Sequence, residues 1–233
     1  MGASAHDPST YEGTAHLEVM AEARNYNAFL VDLVLEQRQG ATRAVDFGAG
    51  IGTFAALVRD RGLDVLCVER DPRQRTAIAN RGMTAVADLD AVPDGSVEYV
   101  YSLNVLEHIA DDAAALRLLA RKLAPGGRLL LYVPAFRLLY SAMDRKVGHH
   151  RRYRRTPLVA MIERAGLRVS RSRYADSLGF LAALAYRALG SRSGDLDPRS
   201  IAAFDRFVFP ASRAVDRVLD RVLGKNVYVV AVK

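Results

Sequence analysis

The sequence predicts an α/β protein whose sheet is mostly parallel and carries helices on both faces. Between residues 43 and 133, short apolar segments typical of strands alternate with segments whose apolar residues recur at helical spacing, and the connections are short. A glycine-rich turn follows the first of these strands, as in strand–turn–helix units that bind ligands. Half of the 233 residues are hydrophobic, which suits one large core. We therefore expect a single domain over residues 1–233.

A long helix precedes the first strand, because apolar residues recur at helical spacing from 15 to 39. Apolar runs predict strands at 43–47, 64–68, 84–86, 97–103, 128–133, 167–174 and 226–232. Helical spacing predicts helices at 51–61, 72–81, 111–123, 158–165, 176–189 and 200–223. Thr156 and Pro157 predict the start of the fourth of these, with Thr156 as its N-cap. A linker is expected at 190–198.

The strand at 43–47 breaks into a turn with glycine at alternate positions, after an acidic residue near the strand end. Glycine is needed where the backbone takes positive φ or where a ligand approaches without room for a Cβ. The helix that follows presents unpaired N–H groups to a polar ligand. The candidate cofactor-binding residues here are Asp46, Gly48, Ala49, Gly50 and Gly52. A dinucleotide-binding fingerprint would have its third glycine at position 53, where this chain has Thr53, so that class of fold is disfavoured. The remaining alternative is a tight turn that binds no ligand.

A carboxylate stands just after the second strand, about 20 residues beyond the glycine turn. Glu69 is therefore placed to accept hydrogen bonds from both hydroxyls of a ribose. This position supports any nucleotide-type cofactor, and a solvated charge at a strand end is the alternative.

Four motifs in order carry a family resemblance. They are D-x-G-x-G-x-G at 46–52, the turn P-D-G-S at 93–96, L-N-V-L-E-H-I at 103–109 and L-A-P-G-G at 123–127. Over residues 15–135 the chain resembles the class I S-adenosylmethionine-dependent methyltransferases, in the group often labelled type 11 or 23. The resemblance implies a Rossmann-like seven-stranded sheet whose last strand is antiparallel. It also implies S-adenosylmethionine as cofactor and S-adenosylhomocysteine as product.

The resemblance also assigns roles around the cofactor. Asp88 would receive the adenine amino group, with Asp90 as the competing candidate, and Asn104 would border the methionine end. The stretch that contains Tyr26 resembles a lid that closes over the cofactor. For His108 a structural histidine that caps local backbone is the alternative. The cofactor-binding residues implied are Tyr26, Glu69, Arg70, Asp88, Leu89, Asn104, Val105 and His108.

A basic insertion follows the fifth strand, and six of the eleven residues from 145 to 155 are Arg or Lys. It resembles a D-x-x-x-G-H-x-R-R-Y signature of a bacterial branch associated with small-molecule or cell-envelope methylation. Loops at the carboxyl ends of parallel strands line the ligand crevice, and arginine forks suit an anionic acceptor. The imidazole of His149 or His150 is the expected catalytic base, since it titrates near neutral pH. The expected substrate-binding residues are Tyr140, Arg151, Arg152 and Tyr153.

For two segments, a purely structural role is the alternative to a role in binding. Arg151, Arg152 and Tyr153 could instead lock the insertion onto acidic residues of the domain, with Asp144 pairing inside the loop. Residues 175–225 lie outside the minimal sheet and predict a helical cap insertion on the acceptor side, with peripheral membrane contact or ordinary core packing as alternatives. The domain would then consist of a lid helix at 15–40, a cofactor-binding core at 41–174, this cap and a closing strand at 226–233.

The predicted activity is methyl transfer from S-adenosylmethionine to an oxygen or nitrogen atom of a small molecule. The acceptor is expected to be anionic or partly hydrophobic: a metabolite, a cell-envelope compound or a lipid-linked compound. The alternatives are an NAD(P)-dependent oxidoreductase and a non-catalytic cofactor- or RNA-binding protein of the same fold. The fourth strand does not end in N- or D-P-P-Y/W, which disfavours methylation of adenine or glutamine nitrogen.

Charge and composition limit the partners. The net charge is +7 and the pI is near 9.7, which favours an acidic partner, although no RNA-binding module accompanies the basic run and nucleic acid is disfavoured. The single cysteine, Cys67, excludes disulfides within the chain and cysteine-rich metal sites, and no carboxylate cluster indicates a metal. No secretory signal or bilayer-spanning run is apparent, so a cytoplasmic protein is expected. The oligomeric state stays open.

Overall fold

The computed structural model describes residues 23–189 and 197–233. A seven-stranded sheet forms its centre, with the strand order β3-β2-β1-β4-β5-β7-β6. The strands are β1 (Arg43–Phe47), β2 (Asp64–Val68), β3 (Ala85–Val86), β4 (Val97–Leu103), β5 (Leu123–Pro134), β6 (Arg168–Ala175) and β7 (Asn226–Val232). β7 pairs antiparallel with both β5 and β6, and the other pairings are parallel. The predicted sheet, with its antiparallel last strand, is confirmed.

Helices cover both faces of this sheet. They are α1 (Arg24–Gln37), α2 (Thr53–Arg59), α3 (Pro72–Asn80), α4 (Asp112–Lys122), α5 (Ala142–Lys146), α6 (Arg155–Arg164), α7 (Ser177–Leu189), α8 (Pro198–Ala203) and α9 (Phe209–Leu219). Short 3-10 turns occur at Leu89–Ala91, Leu106–His108 and Arg137–Leu139, and a π-helical segment at Phe204–Val208 joins α8 to α9. Within the described ranges, no helix has both the length and the apolar character needed to cross a membrane.

The core lies in two layers because successive side chains of a strand point to opposite faces. On β4, Val100 packs into one layer, while its neighbours Tyr99 and Tyr101 pack into the other. Leu131 and Tyr132 of β5 divide in the same way. β4 is mostly apolar because it is buried on both faces over most of its length, with only Glu98 exposed, and the sequence locates it with correct bounds.

Two predicted helices differ from the structure. Thr156 is not an N-cap, because α6 begins at Arg155, the residue before it. The Arg155 N–H donates to the Tyr174 hydroxyl at 3.1 Å. A side chain from β6 thus takes the role that the prediction gave to a local threonine. The predicted helix at 200–223 is divided by the π-helical segment and ends at Leu219. Residues 190–196 of the linker expected at 190–198 lie outside the described residues, as does the first part of the predicted lid helix, 15–22. The last linker residue, Pro198, instead begins α8.

Buried aspartates join the C-terminal helices to the rest of the domain. Asp205 accepts hydrogen bonds from the backbone N–H groups of Asn25 and Tyr26, at 2.9 and 2.8 Å, and so caps the start of α1. Asp216 of α9 accepts from the N–H of Ser177 at 2.9 Å, at the start of α7. Within the predicted cap at 175–225, Asp216 thus joins α9 to α7, while Asp205 binds the cap to α1.

Candidate active site

The carboxyl ends of β1 and β4 lie side by side, at the point where the strand order reverses direction. Ser102 of β4 donates its hydroxyl hydrogen to the Phe47 carbonyl at 2.9 Å and ties the two strand ends together. Val105, just beyond β4, packs so closely on Gly48 that a Cβ at position 48 would collide with its side chain. In open α/β sheets, ligands bind in the crevice at such a reversal.

The turn after β1 has the backbone that its glycines predict. Gly48, Gly50 and Gly52 have φ values of +81°, +56° and +77°, in the left-handed region that favours glycine. The N–H groups of Gly48 and Ala49 donate to the carbonyl of Val68 at 2.8 and 3.2 Å. These bonds hold the turn against the end of β2, and Gly52 then begins α2.

Glu69 reaches across this turn. Its Oε2 accepts the Gly50 N–H at 2.8 Å, and its Oε1 accepts the Asp71 N–H at 3.0 Å. The carboxylate is thereby oriented beside the glycines, and each oxygen retains a further lone pair for a ligand hydroxyl. Asp46 is buried near it, and burial together with the charge of Glu69 raises the pKa of Asp46 to about 7.

The residues predicted to hold a nucleobase lie beyond the ends of β2 and β3. Asp88 is exposed, and its Oδ1 accepts the Asp90 N–H at 2.9 Å. The Leu89 side chain is buried in the core, so only the backbone of this residue can face a ligand. Arg70 is exposed, and its carbonyl accepts a hydrogen bond from Arg75 at 2.7 Å.

Asn104 has an unusual backbone at the end of β4. Its φ is +55°, and its N–H donates to the Tyr132 carbonyl at 2.7 Å. Its side-chain amide lies 3.5 Å from the Tyr26 hydroxyl and 3.4 Å from the Asn226 amide. Asparagine tolerates this conformation better than most residues, and such outliers cluster at functional sites. Burial raises the pKa of Tyr26 to about 12, so its phenol stays protonated.

Asp144 organises the basic insertion from its interior. The fully buried carboxylate accepts from Arg152 Nε at 2.8 Å and from Arg152 Nη2 at 3.0 Å, and His149 Nδ1 lies 2.8 Å from its Oδ1. Although burial would raise the pKa of Asp144, the hydrogen bonds from His149 and Arg152 hold it well below its ordinary value. Ser141 adds a backbone hydrogen bond at 2.8 Å.

A second aspartate, Asp112 at the start of α4, anchors the rest of the insertion. Arg151 Nη1 lies 2.8 Å from Asp112 Oδ2, and the Tyr153 hydroxyl lies 2.9 Å from the same oxygen. Tyr153 is buried, and its hydroxyl is also 3.1 Å from the Leu106 carbonyl. Together with the pair between Arg152 and Asp144, these are the contacts of the structural alternative, in which the three residues lock the insertion onto the domain.

The two predicted base candidates have different surroundings. The His149 side chain is 11% exposed, its ring lies edge-on to that of His108 with centroids 4.6 Å apart, and its Nε2 is 3.8 Å from Glu107 Oε1. The Tyr140 hydroxyl donates to the His149 carbonyl at 2.7 Å. His150 is exposed, and its backbone N–H donates to the Glu107 carbonyl at 2.8 Å.

A surface cavity of about 420 Å³ lies elsewhere, between α1, α9, the edge strand β6 and its neighbour β7. Its lining includes Phe29, Arg171 and Arg213 and contains none of the predicted site residues. The candidate site is therefore assigned from its chemistry, not from cavity size.

Comparison with known proteins bears on this geometry. A family model described as a methyltransferase domain matches residues 17–172, about two thirds of the chain. The chain belongs to this methyltransferase family. An uncharacterized methyltransferase of Mycobacterium sp. strain KMS is 32% identical over 133 residues, which cover 54% of this chain and 50% of the relative. The chain thus spans about half the length of this curated relative.

Solved structures share the fold of this chain. A SAM-dependent methyltransferase from Archaeoglobus fulgidus matches with a TM-score of 0.63 at 17% identity, covering 91% of this chain and 94% of that one. Phosphoethanolamine N-methyltransferase 2 of Haemonchus contortus, solved in complex with S-adenosyl-L-methionine, matches with a TM-score of 0.62 at 17% identity. That match covers 97% of this chain and 58% of the other. The predicted class I methyltransferase family and Rossmann-like fold are confirmed, and S-adenosylmethionine is the cofactor of this family.

The methyltransferase fold brings most of the predicted cofactor residues together. At the carboxyl ends of the strands, the fold brings together the glycine turn, Glu69, Asn104, Val105 and Tyr26. Asp88 and Arg70 lie farther along the same side of the sheet. Sequence reasoning missed the roles of Asp112 and Glu107. Glu107 lies within the quoted L-N-V-L-E-H-I motif, but nothing in the motif shows that its carboxylate is completely buried.

Proposed function

We propose that this chain transfers the methyl group of S-adenosylmethionine to an oxygen or nitrogen atom of a small molecule. The observation that carries the proposal is the Glu69 carboxylate, which is fixed against the glycine turn at the reversal of the sheet. When bound, the cofactor supplies a methyl group on a positively charged sulfur. The chain's part is to hold donor and acceptor in line, because positioning alone can contribute about 7–11 kcal/mol to such a transfer.

The residues at the strand ends fit this cofactor. Glu69 would accept the ribose hydroxyls, and Asp88 would accept the adenine amino group. The turn at 48–52 would lie against the methionine portion, since glycine at positions of positive φ lets the backbone approach a ligand closely. Asn104 would border the methionine portion from the end of β4.

The acceptor would lie on the side of the basic insertion. His149 is better placed there than His150, because Asp144 orients its imidazole and burial limits its motion. Tyr140 supports the His149 backbone. These contacts favour a role in the chemistry for His149 and a peripheral position for His150.

The acceptor proposed is small and is anionic or partly hydrophobic, as in a metabolite, a cell-envelope compound or a lipid-linked compound. Since Arg151 and Arg152 already pair with Asp112 and Asp144, the charge available to an anionic group comes from exposed arginines. These are Arg137, Arg145 and Arg154. An apolar part would meet the ring of Phe136, which stacks on Tyr174 and meets Phe180 edge-on, with centroids 4.8 and 5.3 Å apart.

Calorimetry with S-adenosylmethionine and S-adenosylhomocysteine tests the cofactor assignment. Glu69→Ala removes hydrogen bonds from ribose hydroxyls to a charged acceptor, so we expect binding at least tenfold weaker than wild type. Glu163→Ala, an exposed glutamate of α6, is the matched control and should bind as wild type does. Binding of NAD or NADP in place of the S-adenosyl compounds would support the oxidoreductase alternative and overturn the proposal.

Release of S-adenosylhomocysteine, screened over phosphorylated, carboxylated and lipid-like acceptors, tests turnover. With an acceptor in hand, His149→Ala should lower the rate by about 100-fold or more, the usual size of the effect when a group that positions or deprotonates the acceptor is lost. His150→Ala should stay close to wild type because that side chain is exposed. Tight cofactor binding with no turnover on any acceptor class would favour the non-catalytic alternative.

A further inference from the structure

Three side chains that could ligate a metal converge beside the proposed acceptor side. Glu107 and His108 belong to the 3-10 turn after β4, and His149 comes from the basic insertion. Each offers one ligand atom, and these three atoms lie within 4.8 Å of one another. Glu107 is completely buried, and neither of its carboxylate oxygens has a hydrogen-bond partner in the part of the chain that the structure describes.

A buried carboxylate of this kind needs a hydrogen-bond donor or a cation beside it. A buried polar group without a partner is costly, and an unassigned ion is one of the few explanations for it. The 3.8 Å between Glu107 Oε1 and His149 Nε2 is too long for a hydrogen bond. It is close to the separation of about 3.4 Å between two ligands that sit at a tetrahedral angle, each about 2.1 Å from one zinc ion.

We propose that Glu107, His108 and His149 bind one divalent transition-metal cation. Two imidazoles and one carboxylate form a donor set that suits Zn²⁺, Fe²⁺, Co²⁺ or Mn²⁺, and three protein ligands leave a position open for another molecule. On the basis of the proposed function, that molecule is the acceptor, which would bind the cation through an oxygen atom. The cation would then orient the acceptor from the insertion side.

The groups behind these ligands support the assignment. Metal-bound histidines usually donate their other ring N–H to a carboxylate or a backbone carbonyl, which orients the ring. His149 has such a partner in Asp144, which is itself held by Arg152. His108 forms hydrogen bonds with the backbone of Val147 and Gly148.

Titration of chelator-treated, untagged full-length protein with Co²⁺ and Zn²⁺ tests the site directly. The wild type should bind one equivalent with micromolar or tighter affinity, and Co²⁺ should give the visible absorption of a coordinated ion. His149→Ala and Glu107→Gln should each weaken binding by at least tenfold. His150→Ala is the matched control, because it removes the adjacent exposed imidazole, and it should bind as wild type does.

A second variant and a second measurement keep the result decisive. His108→Asn removes a different ligand in case His149→Ala disturbs Asp144, and circular dichroism in chelator confirms that each variant is folded. Stoichiometric binding that persists in the folded ligand variants, or no binding by the wild type, would overturn the metal site. Calorimetry with S-adenosylhomocysteine in chelator, on the same samples, separates that failure from failure of the proposed function.

Discussion

At the scale of single residues, carboxylates of the site differ in burial and in partners. Glu69 is partly exposed and accepts two backbone N–H groups, whereas Asp144 is buried against Arg152 and His149. Asp46 is buried close to the charge of Glu69, and its pKa rises to about 7. Near pH 6 the carboxyl group of Asp144 is thus ionised, while that of Asp46 is largely protonated.

Asp46→Asn should change how stability depends on pH. The unfolded chain loses the Asp46 proton near pH 3.8, while the folded protein keeps it until about pH 7, so this residue makes stability fall as pH rises between those values. The variant should lose that slope and gain up to about 4 kcal/mol relative to wild type above pH 7. Urea unfolding at pH 5 and pH 8 measures it, with Asp60→Asn as an exposed control. Parallel profiles for Asp46→Asn and wild type would contradict the shifted pKa.

At the scale of the element, the basic insertion shows why composition is a poor guide to exposed charge. Arg151, Arg152 and Tyr153 face Asp112 and Asp144. Three of the four residues that were expected to bind the acceptor therefore hold the loop in place. The positive charge that remains for a ligand lies on other arginines. A charge count over 145–155 cannot separate these two groups, because the acidic partners lie outside that run, Asp144 directly before it and Asp112 in α4.

Asp144→Asn tests this internal anchor. The Arg152 side chain is 6% exposed, and the substitution leaves its charge buried without a carboxylate. We expect a loss of about 3–5 kcal/mol in the free energy of unfolding, as when one partner of a buried ion pair is removed. Chemical denaturation measures the loss. Asp60→Asn breaks an exposed pair with Arg59 and should cost less than about 1 kcal/mol, and an equal effect of the two would refute the anchor.

At the scale of the whole molecule, the first described helix depends on a residue near the other end of the chain. Asp205 caps α1 although it lies 180 positions from Asn25. The ring of Tyr26 also meets that of Phe209 edge-on, with centroids 5.5 Å apart. The position of Tyr26 beside Asn104 is therefore set in part by the C-terminal helices.

Asp205→Ala should loosen α1 selectively. Loss of the cap costs about 1–2 kcal/mol. Hydrogen exchange within Arg24–Gln37 should accelerate, while β4 stays protected. Asp197→Ala removes the exposed cap of α8 in the same segment and should leave exchange in α1 unchanged. Equal acceleration in both variants would mean that Asp205 acts only within its own segment.

The sequence by itself determines the strands, the glycine turn and the family. β1, β2, β4 and β7 begin and end where apolar periodicity predicts, and the turn glycines adopt the positive φ that their spacing indicates. These features depend on short-range backbone preferences and on the alternation of side chains across a strand, which are written locally in the chain.

Only the tertiary structure decides which side chains contact one another across the fold. Tyr174 rather than Thr156 satisfies the start of α6, Asp112 and Asp144 take up the insertion's arginines, and Glu107 is enclosed beside two histidines. The sequence indicates no metal because the potential ligands come from two separate segments, Glu107 and His108 after β4 and His149 in the insertion. Their meeting requires the insertion to fold back over the end of β4, and that approach depends on long-range packing that no local pattern records.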